Sequence, residues 1–179
     1  MFKIARKTNE RFEDIKYAIW ETQWLNEFSQ HQTSNQMIVV EVEKEFVDSL
    51  YYYLNDNLRM DFFLNPDEKE IQFYISESNV PVIIKRLVTR APIQKIKNKK
   101  TVVPIATLEK IMVDLFADEN LLHFYQGSEM VNIYEKIIDR YSINFTKLFS
   151  YAKRRKKEQE IKQFIGNNIP NFLEDIHYD

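Results

Sequence analysis

A run of five consecutive cations, Lys153, Arg154, Arg155, Lys156 and Lys157, is the densest chemistry-bearing stretch in this sequence. Arginine offers planar, two-pronged donors to phosphate or carboxylate, and lysine a compact charge. The run is therefore a candidate surface for nucleic-acid phosphates or for an acidic protein. From Arg140 to Ile165 there are eight cations and two acids, a local balance of +6 in a chain of net charge −2. A charged run can also do no more than solvate a helix face; segregation this strong in a mildly acidic chain sets an anion-facing patch beside that reading on equal terms. Lys95, Lys97, Lys99 and Lys100 form a second cluster, which as a lysine-rich turn would also discourage edge pairing.

Glu41-Val-Glu-Lys44 is the second chemical pattern. It resembles the metal-binding strand of restriction-type nucleases, with Asp14 as a distant upstream acid. That chemistry needs a carboxylate and a lysine two residues apart, so that both reach one metal-bound water. Here Glu41 and Glu43 share a strand face, but Lys44 follows Glu43 directly and projects away. The plainer reading is an exposed strand face running into a helix start, where Glu45 and Asp48 suit the dipole. No active nuclease is expected; an inactive restriction-endonuclease-like domain remains an alternative.

The third set is sparse. His31, His123 and His177 are far apart, and with no cysteine in the chain no zinc site, disulfide or Cys nucleophile is expected. Gly127 and Gly166 are the only glycines, where average usage near 7% would give about a dozen. Phosphate-cradling loops of the GxGxxG or GxxxxGK[ST] type need several, so nucleotide enzymes of those kinds are excluded. No cofactor is called for.

The elements that must position these groups follow from periodicity. The spacing predicts strands over 16–20, 37–43, 60–64 and 82–87 and a hairpin over 93–103. Thr22 is expected to cap a short helix carrying Trp24, Leu25 and Phe28, and Phe46, Val47, Leu50, Tyr51 and Leu54 recur at helical spacing. Strand, helix, strand, helix, strand implies crossovers and an α/β fold with a mixed sheet. After Pro104 the period becomes helical, with stripes at Leu108, Ile111, Met112 and Leu115, at Met130, Ile133, Tyr134 and Ile137, and, with Asn144 as its candidate cap, at Phe145, Leu148, Phe149 and Ala152. A single domain over 1–179 is expected, an α/β part at 12–103 and a helical C-terminal subdomain at 104–179 packed against it. The last stripe stops at Lys156, and Ile161, Phe164 and Ile165 lie about 160° round the helix at about 100° per residue. The cations thus mark a kink or a rotation onto a second packing surface, and at least some of them must be exposed.

The strings IWETQWLNEFSQHQ (19–32), VVEVEK (39–44), APIQK (91–95), ATLEKIMVDLFAD (106–118), YQGSEM (125–130) and SYAKRRKKEQEIKQFI (150–165) occur in that order. Together they resemble the C-terminal region of the AbiEi-like antitoxins of type IV abortive-infection toxin–antitoxin systems. The resemblance implies a domain that counteracts a nucleotidyltransferase toxin encoded beside it. Only about a dozen residues precede the region of resemblance, so the usual N-terminal winged helix, and operator binding with it, is not expected. A transcriptional regulator touching phosphates through the basic run is the alternative. No apolar run suits a signal peptide or a membrane span, and a soluble cytoplasmic protein is expected.

Overall fold

The structure, a computed structural model, describes residues 1–31, 33–98 and 101–169. Contacts divide the chain into two compact units: Met1–Trp24 with Thr33–Thr107, and Leu25–Gln32 with the chain from Leu108 onward.

The first unit opens on helix α1 (Phe2–Arg11), which the sequence analysis does not anticipate. Its buried residues Ile4, Ala5 and Thr8 have i, i+1, i+4 spacing, a one-sided stripe in an otherwise polar segment. Strand β1 (Tyr17–Glu21) leads into a 3₁₀ helix (Thr22–Glu27), and β2 follows (Ile38–Val42). Thr22 is the first residue of that helix and is fully buried, and its Oγ1 accepts from the Met37 N–H at 2.9 Å, which closes the β1–β2 pair. A 3₁₀ turn at Lys44–Phe46 runs into α2 (Val47–Asn57), then β3 (Phe62–Leu64). A one-turn helix α3 (Glu68–Glu70) continues as a π turn (Ile71–Ile75). Its start is fixed by a capping box, with Asp67 Oδ1 accepting from the Glu70 N–H at 2.8 Å and Glu70 Oε2 from the Asp67 N–H at 3.0 Å. Strands β4 (Val82–Arg86), β5 (Ile93–Asn98) and β6 (Thr101–Ala106) complete the unit.

The strand order is β3-β4-β2-β1-β6-β5. β2 runs antiparallel to β1, while β4 is parallel to both β2 and β3, and β6 is parallel to β1. The chain is therefore α/β with a mixed sheet. Ile38, Val40 and Val42 point to one face and join Ile4, Leu50 and Leu54 in a single apolar cluster with α1 and α2. The hairpin residues Lys99 and Lys100 lie outside the described residues.

The second unit is helical: α4 (Leu108–Ala117), α5 (Ser128–Arg140), α6 (Phe145–Arg154) and α7 (Glu158–Asn168). Gly127, at φ 63° and ψ −131°, enters α5 in a conformation that a Cβ disfavours. Asn144 caps α6 as expected, its side-chain oxygen accepting from the Lys147 N–H at 2.8 Å. The segment 25–31 belongs here because α5 holds it. Glu129 accepts from the backbone N–H groups of Gln30 at 2.8 Å and His31 at 3.2 Å, and its Oε1 lies 2.6 Å from His31 Nδ1. Of the core residues expected in this unit, Ile111, Met112, Leu115, Ile133, Ile137 and Leu148 are buried. Leu108 is only half-buried, and instead the charged Lys110 and Asp114 are wholly enclosed.

Candidate functional site

The five cations sit at the junction of α6 and α7, and the junction is a sharp turn rather than a bent helix. Arg155 is the C-cap of α6, and Lys156 takes a left-handed φ of 58°. The Lys156 N–H donates to Lys153 O at 3.1 Å and the Lys157 N–H to Ala152 O at 2.9 Å, the bond pair of a Schellman motif. That motif usually places glycine where Lys156 stands, because a side chain there costs about 1–2 kcal/mol. The kink expected from the broken stripe is thus present, and Ile161 and Ile165 of α7 are buried beyond it. Phe164 packs between Phe116 and Tyr134, with ring centroids 5.5 and 5.1 Å away.

The five side chains do not form one exposed row. Lys153 and Lys156 are exposed. Arg154 is half-buried, its Nη1 donating to Ser150 Oγ at 3.1 Å and its guanidinium 6.0 Å from the Tyr151 ring. Lys157 pairs with Glu160 at 2.6 Å and lies 6.0 Å from the Phe116 ring. Arg155 turns inward: Nη2 donates to Asp118 Oδ1 at 2.8 Å, and Nη1 is 3.7 Å from Asp114 Oδ1. Burial pulls the Arg155 pKa down, but Asp118 and Asp114 outweigh it and hold it above the ordinary arginine value, so Arg155 stays charged. Glu158 is held below its ordinary pKa by the Lys162 hydrogen bond and by the charges of Lys162 and Lys153.

Under the turn lies a buried polar network that the sequence reading misses. Asp114 on α4 pairs with Lys110 one turn earlier, and both side chains are fully enclosed. Tyr151 of α6 donates to Asp114 Oδ1 at 2.8 Å, and the Lys110 ammonium lies 5.4 Å from the Tyr151 ring. The signal was available in part: Lys110, Asp114 and Asp118 recur at i, i+4, i+8 and line one side of a helix. What the spacing hides is that Tyr151 and Arg155 arrive from another helix to cover that side. The network fixes Arg155, and through it the direction of the turn, so Lys153 and Lys156 are presented from a determined backbone.

The nuclease-like strand is corrected. Glu41 is not on an exposed face: it is fully buried in β2, opposite Lys85 on parallel β4, with Lys85 Nζ 3.9 Å from its Oε1. Glu43 accepts from the Lys16 N–H at 3.2 Å, and its other oxygen is 3.8 Å from Lys16 Nζ. The two carboxylates therefore serve separate partners, and Lys44 is exposed at the 3₁₀ turn. No group of three or more His, Cys, Asp or Glu that could hold a metal ion occurs among the described residues. His123 Nδ1 lies 3.0 Å from Asn120 O, and His177 lies outside the described residues.

Lys95 of the other cation cluster lines a cleft of about 780 Å³ in the first unit, with Lys16 and Arg90 from elsewhere in that unit, Asp14 and the apolar Ile15, Leu87 and Ile93. Asp14 and Arg90 both take left-handed backbone, at φ 56° and 55°. Lys97 is exposed on β5. No described helix is long and apolar enough to cross a membrane.

A family model matches residues 1–171 and is described as a family of unknown function (DUF6577). No curated protein and no solved structure matches the chain.

Proposed function

Since the chain belongs to DUF6577, a family of unknown function, its role has to be argued from its own surface, and we propose that it is a non-enzymatic, antitoxin-like interaction domain. It acts in the cytoplasm, in an abortive-infection (type IV toxin–antitoxin) system, and counteracts a nucleotidyltransferase toxin. The partner comes from the ordered strings that resemble the AbiEi-like antitoxins. The contact surface comes from the geometry.

The observation that carries the proposal is the left-handed lysine at the α6–α7 turn, set on a buried network. A charged side chain held in a strained backbone conformation, where glycine would be easier, suggests that the charge is used. Lys153, Arg154 and Lys156 offer this surface to acidic groups of the toxin, while Arg155 and Lys157 hold its shape through Asp118 and Glu160. The enclosed Glu41 and the engaged Glu43 support the absence of hydrolytic chemistry on β2.

The test is co-expression with the nucleotidyltransferase encoded beside this gene in its host. Growth is expected to be restored, and the two proteins to co-purify. A toxin that stays fully active with no complex formed would overturn the proposal. One observation favours a second reading, nucleic-acid binding: Lys16, Arg90 and Lys95 border a single cleft. That reading predicts affinity for a DNA or RNA duplex that falls steeply with salt.

A further inference from the structure

We propose that the protein self-associates by seating the basic α6–α7 turn of one copy in an acidic, aromatic groove on the first unit of another. The groove, about 530 Å³, is lined by Phe62, Phe63, Phe73 and Tyr74 together with Asp61 and Glu77.

Local structure explains why rings face outward here. In the π turn, Ile71 and Ile75 are buried, which leaves the intervening Phe73 and Tyr74 on the opposite side. Phe73 is 61% exposed and Tyr74 63%, and Tyr52 on neighbouring α2 is 62% exposed. Single exposed apolar side chains need no explanation, but large rings gathered at one groove mark an interaction surface.

The chemistry of the groove names its guest. Aromatic faces beside carboxylates receive an ammonium or guanidinium, the rings through their negative faces and the acids through charge. The surroundings are acidic as well. Residues 46–80 carry seven acids (Asp48, Asp56, Asp61, Asp67, Glu68, Glu70, Glu77) and two cations (Arg59, Lys69), a balance of −5. The segment from Arg140 to Ile165 carries eight cations and two acids, a balance of +6. A chain of net charge −2 has therefore divided its charge into two opposite surfaces, each the complement of the other. Lys153, Arg154 and Lys156 supply the cations that groove chemistry selects. The contact uses the turn of the earlier proposal as one half and needs no toxin. It hides the turn when the protein is concentrated, so a toxin would compete with a second copy for it.

Sedimentation velocity of the purified chain over a range of concentrations tests this. The average mass is expected to rise with concentration at low salt and to return to that of the monomer at high salt. The pair Phe73→Ser with Tyr74→Ser, and separately the pair Lys153→Glu with Lys156→Glu, should each abolish the rise. All four residues are exposed, and far-UV circular dichroism checks that each variant is folded. Mixing the two variants should restore association, because one keeps its turn and the other its groove. A wild-type chain that stays monomeric at every concentration would overturn the proposal, as would association that survives either pair or variants that ignore each other on mixing. Toxin rescue that survives Phe73→Ser with Tyr74→Ser while self-association is lost separates this proposal from the previous one.

Discussion

Replacing Asp114 with leucine should be the most damaging single change in the helical unit. Asp114 is fully enclosed and serves three groups at once: the buried Lys110 ammonium, the Tyr151 hydroxyl at 2.8 Å and Arg155 Nη1 at 3.7 Å. Removing the carboxylate leaves the Lys110 charge enclosed without that counter-charge, and breaking a buried pair in this way costs about 3–5 kcal/mol. For a chain of this size each kcal/mol lowers Tm by about 2–4 °C, so the melt should fall by roughly 6–20 °C. Removing both charges together avoids the enclosed ammonium, so Lys110→Met with Asp114→Leu should be more stable than Asp114→Leu alone. Urea unfolding followed at 222 nm suits the helical unit, whereas the only tryptophans, Trp20 and Trp24, report on the first unit. An Asp114→Leu cost below about 1 kcal/mol, the level of an exposed pair, would refute the argument, as would a double variant weaker than the single one.

Lys156→Gly should stabilise the protein by about 1 kcal/mol by relieving the left-handed position while weakening toxin contact; a lower Tm would show that the turn is not strained as described. Burial raises the Glu129 pKa, but the hydrogen bonds from His31 and from the Gln30 and His31 backbone outweigh it and hold the carboxyl below its ordinary value of 4.5. Its contribution should therefore be complete above that value and lost as pH falls through the lower folded pKa. The stability gap between wild type and Glu129→Gln, measured by urea unfolding, should narrow as pH falls below 4.5; a gap undiminished well below that pH would refute it. Purified protein should leave DNA and RNA intact with Mg²⁺ or Mn²⁺, and cleavage abolished by Glu41→Ala would promote the nuclease reading.

Where a sequence signal is local, the fold was legible. Alternation in Ile38–Val42, the capping Asn144 and the phase break before Ile161 each depend on residues a few positions apart, and each is present. Helix α1 escaped because only Ile4, Ala5 and Thr8 face inward and one of them is polar. Glu41 was misplaced, and the inward turn of Arg155 left unread, for a different reason. Alternation puts Glu41 on the polar face of β2, and only the pairing with β4 brings Lys85 beside it. A cation run looks uniformly solvated until Asp118, 37 residues earlier, is found to draw Arg155 inward. Tertiary partners decide which charges are free to act, and such partners leave no mark in the local pattern.

Separating the two roles within the basic run tests the central claim most directly. Lys153→Glu with Lys156→Glu changes exposed groups worth only about 0–1 kcal/mol each, whereas Arg155→Gln breaks the contacts to Asp118 and Asp114. In co-expression with the proposed nucleotidyltransferase toxin, and with thermal melts alongside, the lysine pair should melt like wild type yet fail to restore growth. Arg155→Gln should lower Tm. A lysine-pair variant that melts normally and still rescues as well as wild type would contradict the account and leave the turn a solvated helix end.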